Sequence, residues 1–386
     1  MSEYRYYEFV AIDRPLTRDD MAELRSRSSR ATITATSFVN DYNWGDLNAD
    51  PAEWMRRYFD AFVYTASWCN CRLSLRLPHE AFEKVELERF ATDGALSIED
   101  SGTHWIINWS LDEGQDYDRF GMETGQGWIG RLVPLRDELL RGDLRPLYLG
   151  WLAGVGAGEL GDNADEPEVP PGMAQLSAAQ QALAEFLEID PDLVAAAAEG
   201  SPEIEAYRND DDSAEAWMAG LRTDEIKTVF TLLLQGASQQ AERRVKSAFL
   251  AWLKENGSRE SSAAKPRNVA ELRTLAAEAE KRRLEREEKE RARQEAEHRK
   301  QREAYLLTLA ADFDRHWTAI YAHAERGTAS AYETATRAIV DLADAYALAS
   351  NRNEFDKALR DFMVRHGRRG ALIRRLVDAG VWNKAS

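Results

Sequence analysis

The chain has 386 residues, enough for two or three domains of ordinary size. It carries 67 acidic and 50 basic side chains, so its formal charge is −17, which disfavours indiscriminate binding to nucleic acids and anionic membranes. A hydrophobic fraction of 44% and 11 tryptophans provide the material for packed cores. The composition therefore predicts a soluble chain with more than one core.

Cysteine usage and the N-terminal sequence indicate the compartment. Cys69 and Cys71 are the only cysteines and stand one residue apart, so neither a disulfide framework nor a four-ligand cysteine site for zinc can form. The first residues lack the basic and then apolar pattern of a signal peptide. No run approaches the roughly 20 apolar residues that span a bilayer. We therefore expect a cytoplasmic protein with no membrane association.

The first part of the chain alternates between strand and helix patterns. Aromatic and β-branched residues at 4–12 and 31–39 predict strands, and Pro51 suits the first turn of a helix. Alternating leucines and polar residues near the end of 61–77 predict a β-hairpin. The order β-α-β-α-β-β-α-β-β predicts an α+β fold with one mixed sheet and helices packed on it. The other predicted elements are a helix opened by Pro15 and Thr17, a helix near 80–90, and strands near 96–98 and 104–111.

Linker composition divides the rest of the chain. Residues 158–174 contain proline, glycine and acidic residues without a basic one, and residues 257–266 are small and polar. Ser177 and Gln180 form a capping box that opens a helix after the first linker. The predicted segments are an α+β domain (1–157), an acidic linker (158–174), a helical domain (175–256), a second linker (257–266), and a long charged helix with a C-terminal helical hairpin or bundle (267–386).

The charged helix is the most distinctive predicted element. Residues 281–303 are almost entirely Arg, Lys, Glu and Gln, and acidic residues precede basic ones at i,i+4 spacing, the order that supports a solvated helix. The helix is predicted to begin at about Asn268, and the run over 268–326 would extend roughly 90 Å if unbroken, at about 1.5 Å per residue. A coiled-coil seam can begin at Val269 and Leu272, but arginines take its next core positions and interrupt it.

A helical hairpin is predicted after the charged helix. Gly327 ends one helix, and Ser330 with Glu333 forms a capping box for the next. Apolar residues at three- and four-residue spacing on both sides of this turn predict that the two helices pack antiparallel. Two shorter amphipathic helices follow, so we expect a small C-terminal bundle.

Five arginines near the C-terminus form the sharpest local charge contrast. No acidic residue occurs between positions 365 and 375, in a chain whose formal charge is −17. Such a cluster can bind an acidic protein surface or phosphate groups, and arginines near helix ends also satisfy terminal carbonyls. The candidate partner-binding or anion-binding residues are Arg365, Arg368, Arg369, Arg374 and Arg375.

The loop at residues 41–50 carries a weaker chemical signal. Asp41, Asp46 and Asp50 can in principle hold a divalent cation or form an acid–base pair. Their spacing does not match a calcium-binding loop, and Asp50 stands where a helix N-cap is expected. Aromatic residues in this loop and in the first strand can line a ligand cleft, although core packing is the simpler interpretation.

Two further motifs lack the context that their chemistry requires. The glycines at 125, 127 and 130 match a dinucleotide-binding turn, but no apolar strand immediately precedes them. Asp312, His316 and His323 share one helical face but have no further ligand placed by sequence. We therefore predict no cofactor and no metal site.

Four segments are distinctive as strings of residues. They resemble a family of uncharacterised bacterial proteins over roughly the first 200 residues, and the resemblance weakens along the charged helix. It implies a bacterial origin and assigns no activity, substrate or site residue. The segments are YYEFVAIDRPLT, TSFVNDYNWGDL, WMRRYFDAFVY and GDLRPLYLGWLAG.

Because no reaction centre is recognisable, the sequence favours a non-catalytic scaffold or adaptor subunit. This subunit mediates protein–protein interaction through the charged helix and the C-terminal bundle, and the arginine cluster docks an acidic partner. One alternative is a nucleic-acid-associated protein that uses the same arginines. A second alternative is an enzyme of unrecognised type in the N-terminal domain, with Asp13, Asp41 or Asp46 as acid or base.

Overall fold

The chain forms two compact units, Met1–Arg282 and Arg283–Ser386. Their structure is given by a computed structural model. It describes residues 4–112, 125–202, 211–236 and 267–382, with scattered positions between 238 and 252.

Seven strands form the sheet of the first unit: β1 (Arg5–Val10), β2 (Thr32–Ile33), β3 (Ser37–Tyr42), β4 (Ala61–Ala66), β5 (Cys71–Pro78), β6 (Leu96–Asp100) and β7 (His104–Leu111). Their order across the sheet is β2-β3-β1-β4-β5-β7-β6, and all described neighbours pair antiparallel. The predicted α+β class is therefore confirmed, but the expected mixed sheet is antiparallel. Short turns join β4 to β5 and β6 to β7, and such turns can connect only antiparallel neighbours.

The described helices of the first unit follow the predicted order closely. Thr17, Asp50 and Ser177 each cap a helix by accepting a backbone N–H bond, as their sequence contexts predicted. The helices are α1 (Arg18–Arg27), α2 (Pro51–Arg57), α3 (Lys84–Glu88), α4 (Trp128–Leu132), α5 (Pro134–Leu140), α6 (Arg145–Gly156), α7 (Ala178–Phe186), α8 (Pro191–Glu199), α9 (Asp211–Gly220) and α10 (Thr223–Leu234).

Both faces of the sheet take part in a core. Phe9 lies opposite Phe38 and Phe62 on the neighbouring strands, and this aromatic face packs against Trp54 of α2 and Phe59. The other face carries the leucines of β5 and packs against α4 to α8 in a larger core. Burial of large aromatic and aliphatic side chains on both faces provides the main driving force for folding of this unit.

Helices α7 and α8 share their core with the sheet, because their apolar faces pack into it. Residues 158–174, which have linker composition, form turns and one isolated bridge between Asp165 and Asn268. The division between the two units, after Arg282, does not coincide with any boundary predicted from composition. The helix predicted over 245–253 falls mostly outside the described residues, and the linker predicted at 257–266 lies wholly outside them.

A buried ion pair holds the start of the charged helix. Arg267 donates to both carboxylate oxygens of Glu166 at 2.6 and 2.8 Å, and the Tyr148 hydroxyl donates to the same carboxylate. Burial raises the pKa of Tyr148 well above its ordinary value, and the Glu166 carboxylate adds to the effect. The N–H of Val269 also donates to the carbonyl of Ala164 at 3.0 Å, so the acidic segment fixes the position of the helix start.

The charged helix, α11 (Val269–Ala310), has 42 residues. Its first residues pack in the core of the first unit, and every side chain from 284 to 305 is exposed. The run over 268–326 is broken, because α11 ends at Ala310 and α12 (Phe313–Arg326) begins after it. Asp312 accepts a bond from the Arg315 N–H at 3.0 Å, and this side-chain cap starts a new helix instead of continuing the old one.

The second unit contains the predicted helical hairpin, which α12 forms with α13 (Ala329–Leu348). Two further helices follow, α14 (Arg352–His366) and α15 (Gly370–Asp378). Gly327 ends α12 with φ 70°, a conformation that glycine adopts without strain. Thr328, and not the predicted Ser330, caps α13. The core gathers Leu306, Leu309, Trp317, Ile320, Ile339, Phe355, Leu359, Phe362, Leu372 and Leu376.

Candidate functional site

Helix α14 presents a buried face and an opposite basic face. Phe355, Leu359, Phe362, Met363 and His366 are buried in the bundle. At about 100° per residue, Lys357, Arg360 and Val364 lie on the opposite side of the helix, and Arg368 follows in the turn after it. We call Lys357, Arg360, Val364 and Arg368 the α14 stripe.

The basic residues of the α14 stripe are exposed and make no ion pair with any described residue. The acidic residues of this helix form no ion pair with the stripe in the described part of the chain. Asp356 pairs with Arg352 at 3.6 Å, and Asp361 lies near Tyr321 of α12. Burial raises the pKa of Tyr321, and the Asp361 carboxylate raises it further. No direct ion pair therefore neutralises the basic residues of the stripe, although the exposed Asp361 lies four residues after Lys357 on α14.

Val364 adds an apolar contact surface to the α14 stripe. Its side chain is 88% exposed, whereas most large apolar residues of this unit are buried. An exposed valine on a soluble surface is ordinary by itself. Flanked by three unpaired cations, it gives the stripe an apolar centre with a charged rim, the arrangement of many protein interfaces.

Two of the five predicted arginines stabilise the bundle itself. Arg365 forms an ion pair with Glu325 at 2.7 Å, and its guanidinium lies 5.4 Å from the ring centroid of Tyr321. Arg369 donates to the carbonyl of Ala324 and to the Tyr332 hydroxyl, the latter at 3.1 Å. Arg369 therefore satisfies a terminal carbonyl of α12, as arginines near helix ends commonly do.

The other three predicted arginines remain available to bind a partner. Arg368 belongs to the α14 stripe, whereas Arg374 is exposed and Arg375 half-buried on α15. None of the three makes an ion pair with a residue in the described ranges. The five arginines thus do not form a single surface, although they are close in sequence.

Lys357, Arg360 and Val364 were not predicted to belong to this surface. The five-arginine cluster was defined by a linear run without acidic residues, and that criterion ignores the helical period. The signal that finds the stripe is the spacing of 357, 360, 364 and 368, which places side chains on one helical face.

His366 lies beneath this region with an unusual environment. It is 3% exposed, its ring is 4.7 Å from that of Phe362, and its two nitrogens find no hydrogen-bond partner among the described residues. Burial lowers its pKa, and the cations of Arg369 and Arg365 lower it further. The neutral imidazole therefore acts as a core side chain.

The carboxylates considered for catalysis have different surroundings. Asp41 pairs in register with Tyr6 near the start of β1, and Asp13 follows the end of that strand. Asp13 accepts from Arg136 at 2.6 Å, and Asp46 accepts from the Tyr7 hydroxyl. No described hydrogen bond therefore joins these carboxylates to one another as an acid–base pair.

The remaining motifs are accounted for by local structure. Strand β7 ends at Leu111, so no described strand leads directly into Gly125, Gly127 and Gly130. Asp312 is the N-cap of α12. Within the described ranges, no group of three or more His, Cys, Asp or Glu side chains is arranged to hold a metal ion.

Comparison with known proteins gives no functional information. No family model matches the sequence, and neither a curated protein nor a solved structure shows significant similarity to it. Among the helices that the structure describes, none has the length and apolar character needed to cross a membrane. The α14 stripe therefore has to be interpreted from its own chemistry.

Proposed function

We propose that this chain is a non-catalytic scaffold or adaptor subunit that binds an acidic protein surface through the α14 stripe. The observation that supports the proposal is the set of three cations around the exposed Val364 that have no ion-pair partner among the described residues. Residues 283–386 carry 20 basic and 17 acidic side chains, whereas residues 1–282 carry 30 and 50. A local positive surface in an acidic chain suits an acidic partner.

A protein partner fits this surface better than a nucleic acid. Binding of single-stranded nucleic acid normally combines cations with aromatic side chains on which bases stack. The α14 stripe contains an aliphatic residue and no aromatic one. Arg374 and Arg375 on α15, which form no ion pair within the described ranges, add further cations and so favour the nucleic-acid alternative. The two hypotheses therefore require a direct test.

The test is affinity capture from a nuclease-treated and an untreated bacterial lysate with the full-length chain. The test variant is Arg360→Glu/Arg368→Glu, and the control is Arg315→Glu/Arg337→Glu, which reverses two exposed charges elsewhere in the same unit. We expect one acidic protein to be retained after nuclease treatment. The stripe variant should reduce its recovery at least about tenfold, because reversed charges repel the acidic surface.

Three results separate the possibilities. Equal loss in both variants would indicate a general charge effect and contradict the proposal. Recovery of nucleic acid that depends on Arg360 and Arg368 would support the nucleic-acid alternative. Unchanged recovery in the stripe variant would show that the partner binds elsewhere on the chain.

A further inference from the structure

Trp44 is exposed on the surface of the first unit. Its side chain is 70% exposed, whereas the other ten tryptophans are buried or half-buried. It lies in the loop between β3 and α2. An exposed indole gains free energy when a partner covers it, and tryptophan is among the residues that contribute most to protein interfaces.

Contacts on both sides of Trp44 hold its loop in place. Arg5 donates to the carbonyl of Gly45, and the Tyr7 hydroxyl donates to the carboxylate of Asp46. Leu47 is buried in the aromatic core. Because the loop is already ordered, a partner that binds Trp44 loses little conformational entropy in this chain.

Aromatic and basic side chains surround this loop. The Arg5 guanidinium lies 4.7 Å from the ring centroid of Trp68, and the Tyr7 ring contacts those of Tyr42 at 5.8 Å and Tyr64 at 4.9 Å. We call Arg5, Tyr42, Trp44, Tyr64, Trp68 and Arg72 the aromatic–arginine surface.

Arg72 provides the charge that a partner would recognise. It lies opposite Tyr64 in the sheet register, is exposed, and makes no ion pair with any residue that the structure describes. The polar side chains of Ser110 and Asn108 continue this face on β7. An unpaired guanidinium beside an aromatic patch is suited to a carboxylate on an incoming surface.

We propose that the aromatic–arginine surface is a protein-binding site. Its partner receives the Trp44 indole in an apolar pocket and places a carboxylate against Arg72. Trp, Tyr and Arg are the residues enriched in interface hot spots, and the six named members of this surface are of these types. A nucleic acid is disfavoured here, because residues 1–282 carry 30 basic and 50 acidic side chains.

This inference extends the adaptor proposal, since an adaptor needs more than one binding surface. It relies on different residues, so either surface can fail while the other remains. Residues of the α14 stripe therefore serve as a control in its test.

The experiment places the photo-crosslinking residue benzoylphenylalanine at Asn43, next to Trp44, in the full-length chain. Crosslinking in a bacterial lysate is followed by identification of the adduct and by affinity measurement with the purified partner. Trp44→Ala and Arg72→Glu are the test variants. Val85→Ala, which truncates a valine that is 75% exposed on α3, is the matched control, and Arg360→Glu/Arg368→Glu reports on the other surface.

We expect one protein adduct, with a Kd at least about tenfold weaker in both test variants. The Val85→Ala and Arg360→Glu/Arg368→Glu variants should bind as the wild type does. No adduct, an adduct with nucleic acid or with a second copy of the chain, or an adduct unaffected by Trp44→Ala would overturn the proposal. Circular dichroism verifies that each variant is folded.

Discussion

Arg76 and Arg136 of the first unit and the α14 stripe of the second unit use basic side chains in opposite ways. In the first unit, Arg76 and Arg136 are nearly fully buried and pair with Asp60 and Asp13 at 2.6 Å each. In the second unit, the basic residues of the α14 stripe are exposed and unpaired within the described part of the chain. The comparison shows that the structural surroundings of an arginine determine its role. Buried ion pairs stabilise a fold, whereas exposed cations without an ion pair can bind a partner.

The largest expected effect on stability comes from breaking a buried ion pair. The Asp60 side chain is 0% exposed and accepts two bonds from Arg76, at 3.0 and 2.6 Å, and two from backbone N–H groups. Asp60→Ala leaves the Arg76 cation buried without a counterion, so it should reduce the free energy of unfolding by about 3–5 kcal/mol. Denaturant unfolding monitored by tryptophan fluorescence measures this change.

Arg56→Ala is the control for that prediction. Arg56 pairs with Glu99 on the surface, with both side chains partly exposed, and its removal should leave the unfolding midpoint close to that of the wild type. A small effect of Asp60→Ala, comparable to that of the control, would contradict the role assigned to buried pairs.

Two adjacent arginines give a finer test within the second unit. Arg369→Ala removes hydrogen bonds to the Ala324 carbonyl and the Tyr332 hydroxyl. It should therefore reduce the free energy of unfolding by about 1.5–3 kcal/mol. Arg368→Ala removes an exposed side chain and should leave stability unchanged within error. Thermal unfolding of both variants measures the difference. Equal losses would show that the distinction between structural and available arginines is wrong.

The smallest expected effect is a pH dependence of the second unit. Burial and the cations of Arg369 and Arg365 lower the pKa of His366, while Glu325 acts in the opposite direction. As the pH falls, His366 is therefore protonated in the unfolded chain before it is protonated in the folded one. The free energy of unfolding should fall as the pH drops below about 6.5, by at most about 1.4 kcal/mol per pH unit.

His366→Phe tests the source of this pH dependence. Phenylalanine keeps an aromatic ring beside Phe362 and cannot titrate, so the fall in melting temperature between neutral and acidic pH should become smaller. If the variant shows the same pH profile as the wild type, another group is responsible.

Local pattern predicted much of the fold. Period-two alternation located the hairpin of β4 and β5, and helical spacing located α12 to α14 with the glycine that ends α12. The strand order and the antiparallel pairing of β1 with β3 and β4 and of β5 with β7 were not predictable in this way, because they depend on partners distant in sequence. The burial of Arg76 was not predictable for the same reason, because only the folded chain brings its counterion Asp60 next to it.

The candidate site was predicted only in part. The linear run of arginines identified Arg368, but it also included Arg365 and Arg369, whose partners Glu325 and Ala324 lie some 40 residues earlier on α12. The sequence could not show these contacts, because they arise from packing between helices. It could have shown the α14 stripe, since helical spacing alone places its four members together.

The measurement that tests the central claim most directly is the affinity of the captured partner for Val364→Lys. If a protein partner buries the apolar side chain of Val364, the substitution should weaken binding at least about tenfold, although it adds a positive charge. Leu307→Lys, at a residue that is 56% exposed on α11, is the matched control and should leave affinity unchanged. Unchanged or tighter binding by Val364→Lys would contradict the account, because a purely electrostatic surface gains from another cation.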